Sequence, residues 1–330
     1  MKTLFNLRLN NGLYPGLLWI LLLLVSQTVQ AVPYDTLLVV AQDGSGGYTR
    51  IQDAIDDTKA FPDVRITILV KNGIYREKVT VFAWNIRLTL RGESPEKTII
   101  SWDDFFDKID RGRNSTFHSW TLLVQGDECR VENLTIENTA GPVGQAVALS
   151  VEADHCIVQN CRIRGHQDTL YTAGQNARQY YKNCYIEGTT DFIFGAATAL
   201  FDSCTIHSLS NSFITAASTP AGREFGYVFR HCRLTAADGV DAVYLGRPWR
   251  DYAQTVFLYC DLGAQILPAG WNNWTVEREK TAFYAEFGNF GPGANTDRRV
   301  GWSRRLSKKQ ARKYTLQKIL LPETWDAGMF

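Results

Sequence analysis

Two aspartates hold matching places in consecutive copies of a repeated segment. Asp168 lies seven residues after Cys161, and Asp191 lies seven residues after Cys184. If the copies are successive coils of a stacked sheet, the two carboxyl groups are about 5 Å apart, the spacing of neighbouring strands. Two carboxylates that close resist ionising together, so the pKa of one should rise. The spacing therefore predicts a pair that can divide acid and base roles.

Other polar side chains fall at related positions. Gln145 lies sixteen residues ahead of a repeat cysteine, as Asp168 does, and Arg247 lies thirteen residues ahead of one, as Asp191 does. Carboxylates can act as nucleophile and as general acid and base, amides can form an oxyanion hole, and an arginine can hold a nucleophile ionised. A solvated ladder of turn aspartates without chemistry is the alternative that spacing alone leaves open. We expect five side chains to emerge together on one face of the stack: Gln145, Gln167, Asp168, Asp191 and Arg247.

An eight-residue pattern recurs six times and supplies the scaffold for these side chains. Its third, sixth and eighth residues are apolar, which suits a strand with one buried face. Successive copies start 27, 23, 20, 28 and 28 residues apart, with no helix-length apolar pattern between them. A period in this range predicts an all-β fold, a single-stranded parallel β-helix. The copies begin at residues 129, 156, 179, 199, 227 and 255.

Segments outside the repeat are expected to complete and close the stack. Ile66–Val70 and Ile86–Leu90 resemble strands of earlier coils. Residues 271–330 are expected to pack along the stack and close its far end. No linker or shift in composition indicates a second domain. A short N-terminal helix is expected to cap the first coil, whose strand edges would otherwise be exposed, through one apolar face: Ile51, Ala54 and Ile55.

The chain has seven cysteines, and five of them occupy the sixth position of the repeat. At that position we expect a buried ladder of thiols, because buried cysteine behaves as a small apolar residue. Disulfides and a metal site are less favoured. The odd number leaves at least one thiol unpaired, and no C-x-x-C pair or histidine cluster accompanies the cysteines.

The N-terminus predicts export. Lys2 and Arg8 precede an apolar run at residues 17–25, and small residues suited to cleavage follow at 29–31. The run is too short to span a bilayer, so residues 1–31 are interpreted as a signal peptide and 32–330 as the mature domain, secreted or periplasmic and without a stable membrane anchor. An uncleaved anchor is the alternative.

The charges of the mature chain nearly balance, so nothing indicates a nucleic acid or another polyanion as partner. One segment departs from this balance, since residues 298–318 carry nine basic side chains and no acidic one. A solvated helix that starts at Ser307 is favoured there over an anion-binding patch.

Five segments, taken in order, resemble the pectin methylesterase family. Further similarity at 268–271 and 291–293 extends the resemblance over nearly all of the mature chain. One segment alone would be weak support, but five in the same order are specific. The five are Gly73–Glu77, Gln145–Leu149, Gly165–Leu170, Asp191–Gly195 and Leu245–Trp249.

The resemblance implies a right-handed parallel β-helix, a monomer without metal or other cofactor, and the hydrolysis of methyl esters of homogalacturonan in pectin. It implies that Asp191 is the nucleophile and Asp168 the acid that then becomes the base. Gln145 and Gln167 match the oxyanion donors, and Arg247 matches the partner of the nucleophile. The aromatic residues implied to line the sugar groove are Tyr171, Phe194 and Trp249.

Three alternatives remain open from the sequence. A pectin-cleaving hydrolase or lyase could use the same architecture, and two carboxylates about 5 Å apart would also suit a retaining glycosidase. An esterase with the same site could act on another ester or thioester. A carbohydrate-binding β-helix without turnover is the alternative outside the enzymes.

Overall fold

The computed structural model describes residues 34–320 and Trp325, so the expected signal peptide lies outside the described residues. Within this part of the chain, the strands form three sheets of eleven, eight and seven strands, called here sheets 1, 2 and 3. No helix among the described residues is long and apolar enough to cross a membrane.

Sheet 1 contains the strand that opens each coil. Its strands are β1 (Leu37–Val40), β2 (Ile66–Val70), β5 (Leu88–Gly92), β8 (Arg130–Glu132), β11 (Cys156–Gln159), β14 (Arg178–Lys182), β17 (Thr198–Asp202), β20 (Tyr227–Arg230), β23 (Gln254–Leu258), β25 (Phe283–Phe287) and β26 (Arg304–Arg305). Sheet 2 consists of β3 (Gly73–Arg76), β6 (Thr98–Trp102), β9 (Thr135–Asn138), β12 (Arg162–Arg164), β15 (Tyr185–Gly188), β18 (Thr205–Ser208), β21 (Arg233–Ala236) and β24 (Asp261–Leu262). Sheet 3 consists of β4 (Val79–Val81), β7 (Leu122–Val124), β10 (Leu149–Val151), β13 (Leu170–Thr172), β16 (Ile193–Gly195), β19 (Phe213–Ala217) and β22 (Tyr244–Pro248).

From β2 to β24 the chain visits sheets 1, 2 and 3 in turn and then repeats, so neighbours within a sheet are parallel strands of consecutive coils. Cys156 pairs with Gln179, which in turn pairs with Ala199. These partners are the first residues of consecutive eight-residue copies, so the register follows the spacing of the repeat. The predicted parallel β-helix is confirmed.

The prediction that each eight-residue copy forms a single strand is wrong. Each copy holds the end of a sheet 1 strand and the start of a sheet 2 strand, joined by a residue with φ between 51° and 58°. This left-handed backbone bends the chain from one sheet to the next, and asparagine adopts it more readily than most residues do. The fifth residue of every copy has this conformation: Asn133, Asn160, Asn183, Ser203, His231 and Tyr259.

The interior contains two columns of stacked side chains, one of thiols and one of aromatic rings. All seven cysteines, which lie within the described residues, are free and buried, so the predicted thiol ladder is confirmed. Each sixth-position thiol donates to a carbonyl of the preceding coil, as Cys204 does to Tyr181 at 3.4 Å. Beside the thiols, stacked rings have centroid spacings of 4.7, 4.4 and 4.3 Å. The rings of this column are Tyr181, Phe201, Phe229 and Phe257.

The first coil is closed by helix α1 (Ile51–Asp56), as predicted. Ile51, Ala54 and Ile55 are fully buried. The carboxylate of Glu77 lies at the N-terminus of the helix, where it accepts hydrogen bonds from the backbone N–H groups of Ile51 at 2.8 Å and Gln52 at 3.2 Å. A buried anion at a helix N-terminus satisfies amides that have no partner within the helix.

Short helices and 3₁₀ turns lie between the strands and after the last one. They are helix α2 (Phe106–Ile109), helix α3 (Lys308–Ala311), helix α4 (Leu316–Leu320) and the 3₁₀ turns Gly112–His118, Val276–Lys280 and Pro292–Ala294. Helix α3 starts after Ser307, whose hydroxyl caps it, and its lysines are exposed, so the solvated helix is confirmed. Ile319 and Leu320 of α4 belong to one buried cluster with Leu200 and Val228 of sheet 1. The tail therefore packs along the stack, as predicted.

Truncating the ring column tests its contribution to stability. Phe201→Ala removes a fully buried ring stacked on both sides, so we expect the free energy of unfolding to fall by about 3–5 kcal/mol. Phe290→Ala, at a side chain that is 59% exposed, is the matched control and should cost less than about 0.5 kcal/mol. Urea unfolding followed by circular dichroism measures both, and equal losses would show that the column is not a stabilising core.

Candidate active site

Asp168 and Asp191 each stand two residues ahead of a sheet 3 strand, in consecutive coils. Leu170 of β13 pairs with Ile193 of β16, so the aspartates face each other across one strand spacing. Both have left-handed backbones, with φ of 64° and 49°. The backbone N–H of Asp168 also donates to Thr190 of the next coil at 3.1 Å. Strained backbones held by the surrounding ladder are typical of functional sites.

Arg247 holds the carboxylate of Asp191 through two hydrogen bonds. Its Nε lies 3.0 Å from Oδ1 and its Nη2 lies 2.7 Å from Oδ2. The guanidinium carbon is 4.0 Å from the ring centroids of both Phe213 and Trp274. Bidentate pairing fixes the direction of the carboxylate, and the two rings restrain the arginine by cation–π contact.

The two glutamines are neighbours across a bridge between coils. Gln145 pairs with Gln167, and the N–H of Ala146 donates to the carbonyl of Gln167 at 3.0 Å. Both side chains line the same cleft as the two aspartates.

The number of residues between each polar side chain and the next repeat cysteine did not predict which residues lie opposite each other in neighbouring coils. Gln145 lies opposite Gln167, not Asp168, and Arg247 lies opposite Ala216, in line with Phe194 and not with Asp191. The reason is that the turns on either side of sheet 3 differ in length from coil to coil, so equal counts do not end at equal positions.

The structure nevertheless brings all five predicted polar residues to one cleft of about 390 Å³. Phe194 and Trp249 line it as well. Tyr171 does not line it but packs beside it, with its ring centroid 4.7 Å from Phe194 and 5.0 Å from Phe117. The complete lining is Phe106, Arg113, Thr116, Phe117, Gln145, Gln167, Asp168, Asp191, Phe194, Ala216, Arg247, Trp249 and Trp274.

Several lining residues were not predicted from the sequence. Phe106, Arg113, Thr116 and Phe117 belong to an insertion between β6 and β7 that has no counterpart in the repeat. Trp274 was also missed, although it follows three residues after the segment 268–271 that had been singled out. Its contact with Arg247 has no signature in a single sequence.

Burial sets the protonation of the two aspartates. Desolvation raises the pKa of Asp168 well above its ordinary value, and the negative charge of Asp191 raises it further, against a smaller opposing effect of Arg247. Burial also raises the pKa of Asp191, but the hydrogen bonds and charge of Arg247 oppose that rise. No donor among the described residues reaches the carboxyl group of Asp168, so nothing offsets its burial. The proton shared by this pair therefore resides on Asp168.

His166 stands between Gly165 and Gln167, and its Nδ1 is buried without a hydrogen-bond partner in the described part of the chain. Burial lowers its pKa, so the ring is neutral at pH 7. The described residues contain no group of three His, Cys, Asp or Glu side chains that could hold a metal ion.

Solved structures with the same architecture are pectin methylesterases. The structure is similar to that of pectin methylesterase from carrot, with a TM-score of 0.83 and 31% sequence identity over 91% of this chain and 97% of the carrot chain. It is also similar to a pectin methylesterase in complex with a hexasaccharide, with a TM-score of 0.75 and 28% identity over 88% of this chain and 97% of that one. The fold is thus the right-handed parallel β-helix of these esterases.

Sequence comparison gives the same family. The Pectinesterase family model matches residues 37–323. Pectinesterase 31 of Arabidopsis thaliana is 41% identical over 86% of this chain and 92% of its own length. The chain spans about half the length of other relatives, which are named pectinesterase/pectinesterase inhibitor. The chain belongs to the pectinesterase family and is a carboxylic ester hydrolase, so the resemblance seen in its motifs is confirmed.

The protonation of Asp168 predicts how stability depends on pH. Unfolded aspartate ionises near pH 3.9, whereas folded Asp168 keeps its proton to higher pH. Above about pH 4 unfolding therefore releases a proton, and the free energy of unfolding falls as pH rises toward the folded pKa. Asparagine does not ionise, so Asp168→Asn should abolish this fall in the free energy of unfolding. We therefore expect the variant to have a Tm a few degrees higher than wild type at pH 7 but not at pH 3.

Asp154→Asn provides the opposite control in the same thermal unfolding series. Burial alone would raise the pKa of Asp154, but the hydrogen bonds of Arg178 hold it below its usual range. Loss of the Asp154 carboxylate, which pairs with Arg178, should lower Tm at pH 7. An Asp168→Asn variant less stable than wild type at pH 7 would contradict the assignment of the proton.

Proposed function

We propose that this protein is a pectin methylesterase that hydrolyses methyl esters of homogalacturonan to pectate and methanol through a covalent intermediate on Asp191. The observation that carries the proposal is the pairing of Asp191 with Arg247 beside a neutral Asp168, in the cleft of a chain that belongs to the pectinesterase family. The hexasaccharide complex of a similar esterase supports a sugar polymer as the ligand.

In the first half of the reaction, a carboxylate oxygen of Asp191 attacks the carbonyl carbon of the ester. The side-chain amides of Gln145 and Gln167 donate to the oxyanion that develops on the carbonyl oxygen. Collapse of the tetrahedral intermediate breaks the bond to the methoxy oxygen, and Asp168 gives its proton to that oxygen, so that methanol leaves. The product is an anhydride between Asp191 and the galacturonate.

In the second half, Asp168 is a carboxylate and acts as the base. It takes a proton from a water molecule, whose oxygen attacks the carbonyl carbon of the galacturonate in the anhydride. The bond to the oxygen of Asp191 then breaks, which frees the pectate carboxyl group and returns Asp191 to its pair with Arg247. Asp168 ends the cycle protonated, as it began.

The surroundings suit these roles. A nucleophile must be ionised, and the two hydrogen bonds of Arg247 favour the ionised form of Asp191 against the effect of its burial. An acid must hold its proton at the working pH, and burial favours this by raising the pKa of Asp168. The rings of Phe194 and Trp249 can pack on the apolar faces of the sugars, with Tyr171 supporting Phe194 from behind.

The proposed setting is outside the cytoplasm. The predicted signal peptide at 1–31 and a catalytic domain at 32–330 suit a secreted or periplasmic enzyme that meets pectin as a monomer. Processing and oligomeric state are open to direct measurement by N-terminal sequencing and light scattering of the exported protein.

Methanol release from highly methylated pectin tests the proposal. The mature chain should release methanol without shortening the polymer, whereas Asp191→Asn and Asp168→Asn should each lose activity by about 10³-fold or more with folding retained. Asp238→Asn, at an exposed aspartate outside the cleft, is the matched control and should keep wild-type activity.

Other outcomes would replace the proposal. Shortened chains would indicate a pectin-cleaving hydrolase or lyase. A folded wild type that releases no methanol from pectin but hydrolyses another ester or a thioester would keep the site and change the substrate. No turnover of any ester, with sugar binding intact, would favour a binding module.

A further inference from the structure

One wall of the cleft is an insertion between β6 and β7, residues 104–119, called here the strap. It contains α2 and the 3₁₀ turn Gly112–His118. Two of its aromatic rings, Phe106 and Phe117, and one cation, Arg113, line the cleft. The strap therefore presents apolar surface and a positive charge to whatever occupies the site.

The strap is fixed to the body of the protein at several points. Buried Asn138 donates to the carbonyls of Asp104 at 2.8 Å and Ser119 at 3.2 Å, which lie at the two ends of the strap. The N–H of Phe106 donates to the carbonyl of Gln145 at 2.9 Å. Lys78 joins the ends through the carboxylate of Asp104 and the carbonyl of His118, at 2.8 and 2.7 Å. The backbone that carries Arg113 is therefore anchored to a residue of the catalytic cleft.

Arg113 is the cation of the strap that lines the cleft, and it has no counterion among the described residues. Arg111 also lacks an ion pair in the described part of the chain, but it does not line the cleft. Lys108 pairs with Asp103 and Asp104. The side chain of Arg113 makes no ion pair or hydrogen bond within residues 34–320, and it is exposed. The exposed acids of the strap, Asp107 and Asp110, do not line the cleft.

The charges that face the cleft do not cancel. Asp168 is neutral, and the negative charge of Asp191 is matched by Arg247. Arg113 then leaves the cleft with one net positive charge in the absence of substrate. An arginine that faces a ligand site without a counterion has the chemistry to bind a carboxylate.

We propose that Arg113 binds the ionised carboxylate of a de-esterified galacturonate unit next to the unit that reacts. The inference rests on the proposed function, because pectin presents such carboxylates only where methyl esters have been removed. Arg113 is then a specificity-determining residue that favours partly de-esterified pectin over the fully methylated polymer. Each turnover creates a further carboxylate of the kind that it binds.

Initial rates of methanol release on two homogalacturonans test this assignment. One is almost fully methylated and the other about half de-esterified. For an exposed charge pair, we expect Arg113→Gln to raise KM on the second polymer by about two- to five-fold and to leave kcat and the first polymer unchanged. The advantage of the wild type should vanish at about 0.5 M salt, because screening weakens exposed pairs. Arg113→Lys should retain part of it.

Arg312→Gln is the matched control. Arg312 is also exposed and without an ion pair in the described residues, but it follows α3 on the outside of sheet 1 and does not line the cleft. It should behave as wild type, which separates a local contact from a change in net charge. The proposal would be overturned if, at low salt, the ratio of KM on the half de-esterified polymer to KM on the methylated polymer were the same for Arg113→Gln and wild type.

A binding measurement separates this inference from the proposed function. Calorimetric titration of wild type and Arg113→Gln with a fully de-esterified oligogalacturonate needs no turnover. Weaker binding by about two- to five-fold in the variant is expected. That result together with no methanol release would refute the esterase and keep the carboxylate site, whereas equal affinities would overturn the role of Arg113 whether or not the enzyme is active.

Discussion

The site depends on a single ion pair in a place where a charge is costly. Asp191 is 6% exposed, and a buried carboxylate without compensation takes up a proton rather than remaining charged. Arg247 supplies two short hydrogen bonds to it, and the rings of Phe213 and Trp274 hold the guanidinium in position. Asp168, one coil away, has no such partner and stays neutral. Two identical side chains thus differ in their tendency to hold a proton because of their surroundings alone.

The β-helix makes this division possible because it fixes the separation of consecutive coils. Strand pairing sets the distance between Asp168 and Asp191, and the buried thiols and stacked rings inside the coils resist any change in it. Left-handed backbones at Asp168 and Asp191 let short turns before sheet 3 carry side chains that line the cleft. The strap then adds a wall that the repeat cannot supply, and it is anchored through Asn138 and Gln145.

Much of the fold followed from the sequence because burial is periodic. The spacing of the six copies matched the strand register, and the capping face of Ile51, Ala54 and Ile55 and the helix after Ser307 followed from local patterns. The bend inside each copy was not predicted. An asparagine in the sequence shows that the position is polar, but it does not show that the backbone there is left-handed and turns the chain. The cleft was less predictable than the fold. The contact of Trp274 with Arg247 and the strap with Arg113 arise from segments outside the repeat, where no period relates sequence to position.

The pH dependence of kcat/KM for methanol release, measured for wild type and Arg247→Lys, tests most directly whether Arg247 keeps Asp191 ionised. A lysine cannot form the bidentate pair. The acid limb, which reports ionisation of Asp191 as the proposed nucleophile, should therefore move to higher pH by more than the basic limb and narrow the active range. Arg278→Lys, which alters a second arginine over the ring of Trp274 but leaves Asp191 untouched, should keep the wild-type profile. An acid limb unmoved in Arg247→Lys would contradict the account.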